Sequence, residues 1–187
     1  MATRALSLLA AAAVLIPAVS RASAITSDPN LPALYPGAAY VYPNGQPTYS
    51  GVGVTVAFDG VQDRASGPVT RTTNAGDEQE SYNSLWVGTV SVNGGASVAM
   101  TASGTELTLT HGKAGVTAGT FSAEILAMSL SVSSSYGPLL VRESPTKAST
   151  GQTTITPQGG GLFQIDSFFD VFTELSVDGG QTWIPSS

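Results

Sequence analysis

The sequence predicts an all-β fold: an antiparallel β-sandwich, with a jelly roll as one compatible topology. Three observations lead there. Apolar and polar residues alternate with a period of two over much of the chain beyond residue 50, the pattern of strands with one buried face. Turn dipeptides, Asp59-Gly60, Asn93-Gly94 and Asp178-Gly179, punctuate those runs. The count of such runs is roughly eight to ten, and a half-polar sheet must bury its apolar face against another layer. A single domain with small appendages follows from the length of 187 residues.

Residues 1–24 read as an export signal. Arg4 supplies the positive start, and Ala5 to Val19 is apolar apart from Ser7 and Pro17. Ala22-Ser23-Ala24 fits a signal-peptidase site, and a second site lies after Ser20. The apolar core is shorter than the about 20 residues a membrane span needs, so cleavage and no stable membrane span are expected. Cleavage after Ala24 removes Arg4 and Arg21 and moves the formal charge from −6 to −8.

Residues 25–50 are rich in Pro, Tyr and Gly. Pro29, Pro32, Pro36, Pro43 and Pro47 interrupt regular structure. An extended N-terminal arm is expected, packed on the body through Tyr35, Tyr40, Tyr42 and Tyr49. The β-sandwich domain is expected over residues 51–187.

Within that domain, Val52, Val54, Val56 and Phe58 alternate with small or polar residues, and Asp59-Gly60 is read as closing the strand. A polar stretch follows to residue 80. Residues 85–104 read as strand, Asn93-Gly94-Gly95 turn, strand. Leu107 and Leu109 fall on one face of the next run, with Glu106, Thr108 and Thr110 on the other. Thr120 to Val132 is a longer strand whose apolar parity switches near Ala127, as a β-bulge allows; a helix competes over Ala123 to Leu130. Thr153 to Thr156 is a short strand ended by Pro157 and the Gly159-Gly160-Gly161 run. From Phe163 onward, strand and helix periods compete. The strand reading sets Ile165, Phe169, Val171 and Leu175 on one face, and Asp166, Phe168, Asp170, Phe172 and Glu174 on the other.

The sharpest motif is Ser176-x-Asp178-x-Gly180-x-Thr182-Trp183. It resembles the Asp-box on the blade hairpins of sialidases and related propellers. Its chemistry is that of a structural turn: an acceptor for turn N–H groups in Asp178, backbone freedom in Gly180 and an apolar lid in Trp183. One box does not make a propeller.

A broader resemblance surrounds it. Leu140 to Gly151, the Gly159–Gly161 run, Asp166 to Ser176 and Asp178 to Trp183 together resemble the C-terminal half of exported bacterial proteins of the PEP-CTERM class. The best match covers Phe121 to Pro185, with a looser extension back to Leu85. The resemblance implies export to the cell surface, biofilm matrix or medium, and no defined enzymatic activity. The tail that marks the class, Val-Pro-Glu-Pro with a membrane helix and a basic end, is not among the 187 residues. Direct release and a longer chain both stay open.

Candidate chemistry is sparse. Asp166, Asp170 and Glu174 share a face and are the weak candidates for calcium or for glycoside hydrolysis; a solvated acidic face is the competing reading. A second acidic region, Asp59, Asp63, Asp77, Glu78 and Glu80, lacks calcium-loop spacing. His111 is the single histidine and is read as a turn residue. With no cysteine, disulfides and thiolate chemistry are excluded. Seven Lys and Arg cannot build a phosphate-tracking surface, so no nucleic-acid partner is expected, and no cofactor. The leading expectation is a secreted or cell-surface structural or interaction protein of a bacterial extracellular matrix, not an enzyme. Its partner would be an extracellular polysaccharide or a matrix protein. A carbohydrate-binding module is the alternative, and a glycoside hydrolase a third.

Overall fold

The computed structural model describes residues 18–43 and 46–187. Among these, twelve strands and no helix are present. Four long strands form one wall: β4 (Val54–Asn74), β5 (Asp77–Val92), β6 (Val98–Thr110) and β7 (Gly119–Ser133), each antiparallel to the next. The β4–β5 turn has two residues, Ala75 and Gly76, at φ 52° and 95°. Both lie in the left-handed region that a type I′ hairpin needs.

The remaining wall is divided between two ends. Strands β1 (Ala18–Thr26), β2 (Tyr40–Val41), β9 (Ser149–Gly159) and β10 (Leu162–Val171) complete one end; β3 (Thr48–Gly51), β8 (Leu139–Glu143), β11 (Thr173–Ser176) and β12 (Ile184–Pro185) extend the other. Strand β7 serves both. Its first part, Gly119–Ile125, pairs with β9, and Ser129–Val132 pairs with β8. The fork sits where the β6–β7 register shifts between Leu107 and Thr108. This is the bulge that the parity switch near Ala127 predicts.

Followed around, the order β4-β5-β6-β7-β9-β10-β1-β2 returns to β4. The molecule is a closed eight-stranded antiparallel barrel, and the expected β-sandwich, jelly roll included, is incorrect. Two packed sheets would leave open edges. Here β7–β9 and β1–β10 pairings join the ends of one sheet and remove them. Those pairings are remote in sequence: Ser23 bonds Asp166, 143 positions away.

Outward positions on β6 and β7 are polar (Thr101, Ser103 and Thr105; Ser129, Ser131 and Ser133), while Ala102, Met128, Leu130 and Val132 point in. This polarity is the reverse of a transmembrane barrel. The interior has three layers. A large apolar core around Trp86, Tyr49, Phe58, Leu130 and Leu175 fills one end. A small apolar plug, Leu31, Phe121, Ile155 and Ile165, fills the other. Along β10 the inward series runs Ile165, Ser167, Phe169, Val171, so a polar layer lies between the two.

Three local expectations are corrected. Asp59-Gly60 does not end a strand. Gly60, at φ 61°, accommodates a bulge, and β4 runs on through it to Asn74, 21 residues in all. Val52, expected in that strand, lies before it and is exposed. Pro157 does not end β9 either. The β7 ladder stops at Ile155, so Pro157 keeps only its β10 partner Phe163 and its missing donor costs nothing on the other edge. On β6, Glu106, Thr108 and Thr110 face inward, and Leu107 and Leu109 are the half-buried outer residues. The competing helices at Ala123–Leu130 and in the final block are strands.

Candidate functional site

A groove of about 480 Å³ opens on the outer wall, over β2, β1, β10 and β9. Register builds it. Val41, Arg21, Phe168 and Gln152 form one cross-strand row; Ser23, Asp166 and Thr154 form the next. Phe168 is on an outward position because its neighbours Ser167 and Phe169 take the inward ones, and 40% of it stays exposed. The Ser23 hydroxyl donates to Asp166 Oδ1 at 2.6 Å, and Gln164 Nε2 donates to Ser23 Oγ at 2.8 Å and to Asp166 at 3.1 Å. An aromatic edge and a fixed row of polar groups therefore share one open face. Arg21, Ala22 and Ser23 of this groove belong to the expected export segment. Residues 1–17 of that segment lie outside the described residues.

The second constellation is the polar layer inside the barrel. Asp63 comes from β4, Glu80 and Tyr82 from β5, Glu106 and Thr108 from β6. Tyr82 donates to Glu106 at 2.7 Å, Ser84 to Asp63 at 2.6 Å and Thr108 to Glu80 at 3.1 Å. Burial pushes Glu106 up to about 8, reinforced by the Asp63 charge. Burial likewise raises Glu80 to about 7, reinforced by Glu78, and Asp63 to about 6, opposed chiefly by its hydrogen bond from Ser84. Glu80 Oε1 and Glu106 Oε2 have no hydrogen-bond partner, consistent with carboxyls that hold protons. The voids here, about 10 and 20 Å³, have room for about one water each. A sugar ring has no room beside these acids. At the rim, Lys113 Nζ lies 3.5 Å from Glu78 in a buried ion pair.

The Ser176–Trp183 motif forms the loop between β11 and β12. Asp178 Oδ1 accepts from Ser176 Oγ and from the backbone N–H groups of Gln181 and Thr182; Oδ2 accepts from Thr182 Oγ1 at 2.6 Å. These bonds, the Thr182 side chain's foremost, lower Asp178 to about 2. Ser176 Oγ accepts from Gly180 N, and Trp183 Nε1 donates to Gly180 O. The Arg142 guanidinium stacks 3.9 Å from the Trp183 ring centre.

The calcium candidates do not converge. Asp166 is tied to Ser23, Glu174 is bound by Arg142 at 2.7 Å, and Asp170 stands four residues from Asp166, about 13 Å along a strand. Among the described residues, no group of three His, Cys, Asp or Glu side chains is placed to hold a metal ion. His111 Nδ1 lies 3.0 Å from Asp77, exposed on a turn. Sequence reasoning singled out Phe168 and Asp166 but missed the Asp63–Glu80–Glu106 cluster. Its visible traces were the Glu106/Thr108/Thr110 alternation and the acidic region that includes Asp63 and Glu80. Comparison with protein-family models, curated proteins and solved structures returns no match.

Proposed function

We propose that this chain is an exported interaction protein of the bacterial cell surface or extracellular matrix, with no catalytic role. The barrel is a rigid support, and the face carrying β10 is its contact surface. The observation that carries this reading is the outer face of β10, where exposed Phe168 lies beside the Gln164–Asp166 hydrogen bond, both of which remain when the export segment is cleaved. An open apolar patch edged by positioned polar groups is the usual make-up of a contact site. Cell fractionation tests the location: protein in the medium or matrix supports the proposal, and retention in the cytoplasm rejects it.

A second reading is glycan binding at the same groove. Phe168 offers a ring face to a sugar, and Gln152, Thr154 and Asp166 offer hydrogen bonds to its hydroxyls. Titration of matrix polysaccharides against the exported protein and Phe168→Ala decides it. Equal binding by both proteins removes the groove as the sugar site.

A further inference from the structure

Strand β1 is both the barrel's closing strand and the end of the expected export segment. Cleavage after Ala24 removes seven of the nine residues that pair with β10. It leaves β10 with a free edge. Across the gap stands β2, held to β4 through only Tyr40–Asp63 and Val41–Gln62. A gap one strand wide, lined by unpaired backbone donors and acceptors, is a template for strand addition.

We propose that removal of the export segment turns this seam into a strand-accepting slot. Its occupant is an extended segment of a partner protein, with small side chains facing inward and a basic side chain facing outward opposite Phe168. The inference rests on the exported reading above and names the partner chemistry of that face.

Three observations define the occupant. The inward residues of β1 in the gap, Ser20 and Ala24, are small and buried. Ser20 abuts a void of only about 10 Å³ that Tyr40 and Phe169 also line, so larger inward side chains would overpack it. On the outer face, Arg21 stands opposite Phe168, with Asp166 and Asp170 at the diagonal positions of β10. A second copy fits poorly. Two β10 edges paired about Phe168 set Asp166 of each against Asp170 of the other, and directly opposed like charges destabilise a sheet. A polysaccharide has no regular row of amides with which to pair the edge.

The test uses the protein as exported. Mass spectrometry gives its N-terminus, hydrogen exchange reports residues 163–171, and a peptide of residues 18–26 is titrated with fluorescence anisotropy. The proposal expects a start at Ile25, fast exchange along β10, and saturable peptide binding that slows that exchange and strengthens the near-ultraviolet signature of Trp86. The Arg21→Glu peptide should bind about tenfold or more weakly, since one attraction to the Asp pair becomes a repulsion. Asp166→Asn with Asp170→Asn should shrink the difference between the two peptides. A start at or before Arg21, β10 amides already protected without peptide, absence of peptide binding, a dimer through β10, or protection of β10 by a glycan instead would each overturn it. A processed chain that is unfolded and is not refolded by the peptide also overturns it. Export is read separately: protein in the medium with residues 18–24 retained sinks the slot and leaves the exported reading standing, whereas a chain confined to the cytoplasm sinks both.

Discussion

Asp178 and Glu106 show how environment divides one chemistry. Both are carboxyls in a sheet protein of net charge −6. Asp178 is exposed but accepts bonds from Ser176, Gln181 and Thr182, which favour its charged form. Glu106 is buried with one donor, Tyr82, and favours its neutral form. Asp178 has a folded-state pKa below its ordinary 3.8, so its contribution is complete above that value and is lost as pH falls through about 2. The amide resonances of Gln181 and Thr182 should therefore titrate together near pH 2. In Asp178→Asn that titration should vanish and the loop should lose protection at neutral pH. Unmoved amides in the variant would remove Asp178 as the organiser of the turn. Trp183 is only partly buried and is held by one hydrogen bond and the Arg142 stack. Trp183→Ala should cost about 1–2 kcal/mol, below the roughly 3–5 of a fully buried indole. Urea melts check the figure, and a loss above that range would mean the ring supports the β11–β12 end far more than its exposure suggests.

At the scale of elements, β9 carries the sharpest expectation. It is wedged between β7 and β10, and Gly151 sits opposite Ala123 on one side and Phe169 on the other. A Cβ at Gly151 would run into the Phe168 carbonyl and lie 2.7 Å from the Phe169 ring. Backbone cannot step aside as a side chain can, so Gly151→Ala should destabilise by about 1–3 kcal/mol or more; thermal melts of the variant that match the parent would show that β9 and β10 separate freely. The elements themselves were largely legible. Val56 and Phe58, Asn93-Gly94 and the two parities of Phe121–Val132 are local signals, and the chain obeys them. Gly60 and Pro157 misled because their meaning depends on the neighbouring strand. A glycine with positive φ makes a turn when the chain reverses and a bulge when β5 continues beside it. A proline breaks a central strand and is tolerated where β7 has already ended. Leu107 and Leu109 do fall on the face opposite Glu106, Thr108 and Thr110, but which face turns inward was not legible, because the interior at that level holds Tyr82, Glu80 and Asp63 as hydrogen-bond partners for Glu106, Thr108 and Ser84. Phe168 was visible as an outward aromatic. The groove around it was not, since β1 and β2 meet the β9–β10 hairpin only through closure.

For the molecule as a whole, closure forces acids from separate strands into one enclosed layer, and pH dependence is the property that follows. Asp63, Glu80 and Glu106 have folded-state values raised to about 6, 7 and 8, in each case chiefly by burial. Partly buried Glu143 is raised to about 7 for the same principal reason. A raised carboxyl binds more protons in the folded than in the unfolded chain between its two pKa values. Its stabilising effect is therefore complete below the unfolded value near 4 and is lost as pH rises through the folded one. Asp178 and Asp77, both lowered, act in the opposite sense on the acid side, where stability falls as pH drops below about 4. Together these place maximal stability near pH 4 and a decline from there that levels off by about pH 8. The decline is of the order of a few kcal/mol, because each tenfold change in proton affinity on folding is worth about 1.4 kcal/mol and the acids titrate as a coupled group. Glu106→Gln keeps a neutral donor and acceptor beside Tyr82 and cannot ionise. It should match the parent near pH 4, exceed it at pH 9 and flatten the slope between them. Urea melts across that range provide the measurement. Stability that rises from pH 5 to pH 9 in the parent, or a variant as steep as the parent, would mean that the acids ionise inside the barrel without penalty and that water reaches them through the wall.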